Sequence, residues 1–196
     1  MLRRVEEIPL FPLQTVLYPG GPLSLRIFET RYLDMVSRCL KEERGFGVCL
    51  IREGSETGLA RVHMIGTLAR IRDWSSGPDG LLNIMARGER RFRIQAQRTQ
   101  ADGLNLAEVE WLPDEPQAPL PEARQELAEI LRQIILQVGG PYADGEGAYG
   151  DSGWVGCRLA ELLPLSLAQR QYLLELGDPL KRLEIISTLV QSLATK

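Results

Sequence analysis

Side chains that could support catalysis are few in this sequence. A hydrolytic nucleophile usually needs a neighbouring base, most often histidine, and the only histidine is His63. It alternates with Val62 and Met64 in an apparent strand, which predicts a position on the solvent face. No Gly-x-Ser-x-Gly elbow occurs. The sequence therefore predicts no catalytic residue and a protein that is not an enzyme.

Metal and cofactor chemistry have no better support. The three cysteines, Cys39, Cys49 and Cys157, are widely spaced and contain no Cys-x-x-Cys pair that could hold zinc. Cys39 lies on a helical face and Cys49 in an apolar run, so both are expected in the core. The glycine-rich stretch 140–153 lacks a lysine for phosphate and does not match a calcium-binding loop. We expect no metal and no cofactor.

An arginine-rich strand is the strongest charged feature. Residues 87–93 hold four arginines and one phenylalanine, a composition that could bind RNA. Strand alternation places Phe92 on the core face and Arg91 and Arg93 on the surface. The net charge of -3 and the pI near 5.4 argue against a polyanionic partner. RNA binding therefore stays an alternative to a plain charged outer face.

Length and hydropathy place the chain among ordinary globular proteins. Its 196 residues, 44% of them hydrophobic, can bury a core. No apolar stretch approaches the ~18 residues of a membrane span. Glu6 and Glu7 lie where a signal peptide would need apolar residues. We expect a cytoplasmic protein without a membrane partner.

The elements that position these residues begin with strands. Ile8–Leu13 is apolar but holds two prolines, so it is expected at a sheet edge or in an extended arm. A turn at Pro19 and Gly20 leads to Leu23–Ile27, which alternates like a half-buried strand. Short strands follow over 46–111, after an amphipathic helix at 28–40 and with a further turn at Gly88. This spacing predicts a small barrel or two packed sheets.

The composition changes at residues 112–121, where four prolines predict a stiff linker and a boundary. We therefore predict domains at 1–115 and 116–196. Helical patterns fill the second domain, with Ser152, Ser166 and Asp178 as candidate N-caps. Residues 142–153 are expected to form a mobile loop. The second domain is predicted to be a helical bundle.

An ordered set of motifs runs through almost the whole chain. Its members include Pro19-Gly20, Ile27-Phe28-Glu29-x-Arg31-Tyr32, Gly88-x-x-Arg91-Phe92, Leu163-Pro164-Leu165-Ser166 and Asp178-Pro179. This set resembles the amino-terminal domain of Lon proteases. The ATPase and protease domains that follow it in Lon have no counterpart in this sequence, so proteolysis is not carried over. The resemblance implies a stand-alone protein of this type.

The resemblance implies an α+β fold, with a PUA-like β-barrel, an inserted helix and a C-terminal helical bundle. It also implies binding of unfolded or partly folded polypeptides, with a protease or a chaperone as a further candidate partner. The predicted binding residues are apolar side chains of the proline-rich arm, expected to be exposed: Leu10, Phe11, Leu13 and Tyr18. The identity of the partner and the oligomeric state stay open.

The motif residues are expected to be structural. Phe28 and Tyr32 should anchor the helix on the barrel. Glu29 and Arg31 are two positions apart, too close to face each other on a helix, so each is expected to have its own partner on a strand, such as Arg91. Pro19, Gly20 and Gly88 should set turns, and Phe92 should lie in the core.

Overall fold

The computed structural model describes residues 6–56, 60–144 and 147–194. They fall into two compact units, one ending at Leu112 and the other beginning at Pro113. The first unit is mainly strands and the second is helical, which confirms the predicted α+β class. The domain organisation with a boundary after residue 115 stays a prediction.

The described residues of the first unit form seven strands and one helix. They are β1 (Glu6–Leu13), β2 (Pro22–Ile27), α1 (Thr30–Lys41), β3 (Phe46–Gly54), β4 (Ala60–Val62), β5 (Ile65–Ser76), β6 (Leu82–Thr99) and β7 (Asn105–Trp111). The pairings run β1-β7-β6-β5-β3 and return from β3 to β1, where the two strands are parallel. Five strands thus close a ring, while β2 joins it only through β6 and β4 only through β3 among the described residues.

The prediction that Ile8–Leu13 lies at a sheet edge or in an extended arm is wrong. β1 is an interior strand that changes partner at Leu10, which pairs with both Gly47 of β3 and Asn105 of β7. Pro9 lies in the half that pairs with β7, and Pro12 lies in the half that pairs with β3. Because each proline has a partner strand on one side only, its missing N–H interrupts no ladder on the other side.

β6 is one continuous strand of 18 residues, so the predicted turn at Gly88 is wrong. Its first part pairs with β2 on one side and its last part pairs with β7. Gly88 instead permits a close approach, because a β-carbon there would overlap the carbonyl oxygen of Tyr18. The amide of Gly20 donates to the Gly88 carbonyl at 2.8 Å, and the amide of Gly88 donates to Gly21 at 2.9 Å. These bonds dock the turn before β2 onto β6.

The second unit contains α2 (Gln125–Val138), α3 (Ser152–Leu162), α4 (Leu167–Glu175) and α5 (Pro179–Ala194), with short 3-10 turns at Glu122–Arg124 and Gly140–Tyr142. Ser166 caps α4 in a capping box with Gln169, and Asp178 accepts from the amide of Leu180, as predicted. The predicted cap Ser152 is wrong: Asp151 accepts from Trp154, while the hydroxyl of Ser152 donates to the carbonyl of Pro119. The expected mobile loop at 142–153 includes residues 145–146, which lie outside the described residues.

The predicted linker belongs to the second unit from Pro113 onward and is not free. Arg182 is fully buried and donates to both carboxylate oxygens of Glu115, at 2.7 and 2.5 Å. The same guanidinium donates to the carbonyls of Leu173 and Leu176. The amide of Leu120 donates to Gly150. These bonds fasten the stretch to the helices, because a buried guanidinium requires its donors to be satisfied.

Candidate functional site

The four predicted binding residues are buried, so the expectation that they are exposed is wrong. The exposed fraction is 0% for Leu10 and Tyr18, 5% for Leu13 and 7% for Phe11. The ring of Phe11 stacks on Tyr32 with 3.9 Å between centroids. For the three residues of β1 the physical reason is the interior position of the strand: Phe11 and Leu13 lie in the core cluster that includes α1 residues, and Leu10 lies in a second cluster with Phe92.

The two predicted anchors of α1, Phe28 and Tyr32, differ in burial. Tyr32 is 4% exposed and anchors the helix as predicted, whereas Phe28 is 62% exposed and does not. Phe28 follows the end of β2 and precedes the helix, which begins only at Thr30. The sequence pattern extended the helical face too far toward the amino terminus.

Glu29 and Arg31 pair with each other, contrary to the prediction. The Nε of Arg31 donates to a Glu29 carboxylate oxygen at 2.9 Å, and its Nη1 donates to the carbonyl of Gly103. Glu29 is the extended N-cap residue of α1, so helical spacing does not separate the two side chains. The pair braces the start of α1 against the turn between β6 and β7.

In the arginine-rich strand, Phe92 is fully buried as predicted, but Arg91 is only 6% exposed and is not the surface residue expected. Arg91 and Phe92 do alternate, because they pair with the successive residues Thr67 and Gly66 of β5. Thr67 is fully buried too, so both faces of the sheet are covered here and each of the two neighbouring side chains is buried on its own face. Arg93 is exposed as predicted.

No group suited to nucleophilic catalysis emerges from the described residues. His63 is half-buried in the break between β4 and β5, not in a strand on the solvent face. All three cysteines are buried, and burial raises the pKa of Cys39 and of Cys157 to about 11, so these thiols stay protonated at neutral pH. No group of three or more metal-ligating side chains lies together in the ranges that the structure describes.

Among the described residues, β2 pairs with β6 alone, so its other edge is free of a partner strand. The bond from Gly88 to Gly21 marks Gly21–Gly88 as a hydrogen-bonded pair of the β2–β6 ladder. Such pairs alternate along antiparallel strands, so Leu23 and Leu25 bond to β6. The N–H and C=O groups of Ser24 and Arg26 therefore point away from β6, toward the free edge.

A shallow groove of about 400 Å³ adjoins this edge. On the solvent face of the sheet, Ser24 lies opposite Met85, which lies opposite Asp73. The Ser24 hydroxyl contacts the Met85 sulfur at 3.4 Å. Two large exposed side chains lie nearby: Phe28 directly after β2, and Trp74 on β5, 58% exposed, which pairs with Ile84 and so lies on the other face of the sheet from Met85. We call the edge, groove and flanking aromatics the β2 surface; its residues are Ser24, Arg26, Phe28, Asp73, Trp74, Ser75, Asn83 and Met85.

This geometry offers an extended chain two kinds of contact. Outward N–H and C=O groups can add one further strand to the sheet, and apolar side chains beside them can bury alternate residues of that strand. The sequence pattern contained part of this signal, since Leu23–Ile27 alternates and begins at Pro22. Trp74 and Met85 were missed because their neighbourhood depends on strand pairs far apart in sequence.

The family model of the ATP-dependent protease La (LON) substrate-binding domain matches residues 7–192. The chain belongs to this family. Its membership confirms the resemblance drawn from the Pro-Gly turn and the motifs that follow it.

Curated relatives are longer proteins that match in part. Cereblon of Xenopus tropicalis is 30% identical over 140 residues, which are 69% of this chain and 30% of that protein. Lon protease of Escherichia coli K12 is 24% identical over 199 residues, covering 95% of this chain and 25% of the protease. The chain thus spans less than a third of the length of these relatives.

Solved structures share the fold along most of the chain. The Lon N-terminal domain protein from Xanthomonas campestris is 40% identical, with a TM-score of 0.79, over 93% of this chain and 98% of that one. The N-terminal domain of Mycobacterium avium complex Lon protease has a TM-score of 0.63 at 18% identity, over 92% and 96%. The first likeness extends to sequence, and the second shows the fold alone.

The helices of the described residues are each too short or too polar to span a lipid bilayer.

Proposed function

We propose that this protein is a non-catalytic polypeptide-binding module and that it takes an extended guest segment on the β2 surface. The guests are unfolded or partly folded polypeptides, which expose backbone and apolar side chains together. The observation that carries the proposal is the edge of β2 that no described strand pairs with, where the outward backbone groups of Ser24 and Arg26 lie beside a groove. Membership of a substrate-binding family supports a polypeptide as the ligand.

The flanking side chains support the same guest. Phe28 and Trp74 are more than half exposed although both are large and apolar. Exposed aromatics of this kind are common at binding surfaces, since they supply large contact area at low conformational cost. A guest strand would bury part of that area while its backbone completes the ladder. Contacts of these two kinds tolerate many guest sequences, because apolar burial is non-directional.

We propose no catalytic step, because the cysteine and histidine side chains do not support one. The thiols with raised pKa values are protonated and buried. His63 is the only histidine of the sequence. We therefore propose that this protein binds a guest polypeptide, and that a partner protein carries out any cleavage or remodelling.

Replacing Ser24 with proline tests the proposal. Ser24→Pro removes an outward N–H and leaves the bonds of Leu23 and Leu25 to β6 in place. We expect a fluorescein-labelled ten-residue peptide with alternating apolar residues to bind the wild type, and Ser24→Pro to bind it at least tenfold more weakly. The melting temperature should stay within a few degrees of the wild type.

The matched control is Ser24→Ala, which removes the hydroxyl and keeps the N–H, and it should bind like the wild type. Fluorescence anisotropy gives the affinities, and thermal melting followed by circular dichroism verifies the fold. A folded Ser24→Pro variant with wild-type affinity would refute the site. A wild type that binds no extended peptide at millimolar concentration would refute the function.

A further inference from the structure

The solvent face beside β2 carries arginines that its own carboxylates do not balance. Pro22 of β2 lies opposite Arg87 of β6, which lies opposite Arg70 of β5. Like charges directly opposite each other destabilise a sheet. Arg70 is neutralised by Glu89 at 2.6 Å. Arg87 donates through Nε to the carbonyl of Gly20 at 3.0 Å, and no carboxylate of the described residues forms a salt bridge with it.

The other charged side chains of this face already have hydrogen-bond or salt-bridge partners. Arg72, 54% exposed, reaches the same Glu89 oxygen at 3.2 Å, so one carboxylate serves two arginines. Asp73 accepts from the amide of Trp74 at 2.8 Å. Arg26 pairs with Asp79 of the turn between β5 and β6, and its side chain stays 61% exposed. Of these four arginines, Arg87 is the one that forms no salt bridge with a carboxylate of the described residues.

We propose that the β2 surface selects guest polypeptides with acidic residues four positions apart. This inference rests on the function proposed above. Residues directly opposite each other on antiparallel strands share a face, so a guest residue paired with Arg26 meets that guanidinium from the side. Pro22 lies four residues earlier on β2 and carries no long side chain between the edge and Arg87. A guest residue at that position reaches Arg87 across the proline.

The guest residue midway between the two acids would lie opposite Ser24, next to the sulfur of Met85, where an apolar side chain fits. The spacing between acids follows from strand geometry, since four residues span about 13 Å. Acids three positions apart would point to opposite faces and could not reach both arginines. The structure thus implies a pattern of acid, apolar residue and acid at every second position.

A polypeptide fits this surface better than a nucleic acid does. The edge offers both donors and acceptors, from the N–H and C=O groups of Ser24 and Arg26. A peptide backbone matches both, whereas phosphodiester oxygens only accept and would leave the carbonyls without donors. A single arginine without a salt bridge is also little for polyanion binding, in which each neutralised phosphate contributes to affinity.

Peptides that differ only at the two predicted positions test the inference. We would compare ten-residue peptides with glutamate, glutamine or lysine there, and one with glutamates three positions apart. At low salt the glutamate peptide should bind about fivefold tighter than the glutamine peptide, and the lysine peptide most weakly, since exposed ion pairs contribute modestly. The advantage should shrink at 1 M salt. It should fall to about half, in free energy, for the three-residue spacing, because only one of the two acids then shares the face of the arginines.

Arg87→Gln should remove about half of the advantage in free energy and leave the affinity for the glutamine peptide unchanged. Arg93→Gln is the matched control, because Arg93 is an exposed arginine on the part of β6 that pairs with β7. Equal affinities for the glutamate and glutamine peptides would overturn the inference while the proposed function stands. Binding of none of the peptides would overturn both. Displacement of the glutamate peptide by an RNA oligonucleotide at equal concentration would overturn the choice of a polypeptide as the ligand.

Discussion

Strands β1 and β2 are both short, apolar and proline-containing, yet one lies in the core and the other on the surface. β1 pairs with β3 and β7, and Leu10 contacts both neighbours. β2 pairs with β6 alone among the described residues. The number of partner strands, and not the number of prolines, decides which of the two can accept a guest. Prolines mark where a ladder bond is missing, and an interior strand tolerates them where its partners change.

The largest expected effect is a loss of stability when the core packing of β1 is disrupted. Phe11→Ala removes a ring that stacks on Tyr32 and is 7% exposed, so the free energy of unfolding should fall by about 3–5 kcal/mol. Urea unfolding followed by circular dichroism measures it. Phe28→Ala removes the same side chain beside β2 and should change stability by less than about 0.5 kcal/mol. Equal losses in the two variants would contradict the assignment of core and surface.

The next effect concerns the turn that leads into β2. Gly88→Ala places a methyl group against the carbonyl of Tyr18, and the turn or β6 must shift to admit it. We expect a loss of about 1–3 kcal/mol in the free energy of unfolding. Gly150→Ala is the control, because a β-carbon there meets no atom within 4 Å. If the two variants melt at the same temperature, the turn does not dock as described.

A smaller effect should appear in binding alone. Trp74→Ala and Phe28→Ala each remove an exposed aromatic from the β2 surface, and each should weaken binding of an extended apolar peptide by about 1–2 kcal/mol. Tyr172→Ala removes an aromatic of similar exposure from the helical unit and should leave the affinity unchanged. Isothermal calorimetry provides the comparison. A loss of affinity in the Tyr172 variant alone would move the site away from β2.

The smallest effect is pH-dependent and lies at the start of β1. A hydrogen bond from Arg98 lowers the pKa of Glu7. Because its folded pKa lies below the unfolded value, the pair stabilises the fold above the unfolded pKa, near 4.3, and this contribution is lost as the pH falls through the folded pKa. Glu7→Gln should therefore lower the melting temperature slightly at pH 7 and progressively less in acid. A Glu7→Gln deficit that grows in acid would contradict the sign.

The contrast between the strands also explains how far sequence reasoning reached. Local signals predicted the caps at Ser166 and Asp178 and the burial of Phe92, because each depends on residues nearby in the chain. The interior position of β1 depends on Gly47 and Asn105, which no local pattern connects to Leu10. The two prolines therefore suggested an edge.

The candidate site was hidden for the same reason. Alternation identified β2 as a strand, but its free edge and its arginine neighbours arise from pairing with β6, some 60 residues away. The burial of Arg91 likewise depends on what covers the face that it shares with Thr67, which alternation along β6 does not reveal. Side-chain chemistry was readable from the sequence, whereas strand neighbours required the three-dimensional structure.

Amide hydrogen exchange, resolved by residue, tests the central claim most directly. In the free protein, the amides of Ser24 and Arg26 should exchange rapidly, while those of Leu23 and Leu25, bonded to β6, should be protected. Saturation with an extended peptide should protect Ser24 and Arg26 and leave their neighbours unchanged. If Ser24 and Arg26 are already protected in the free protein, or stay unprotected when the peptide is bound, β2 is not the edge that receives the guest.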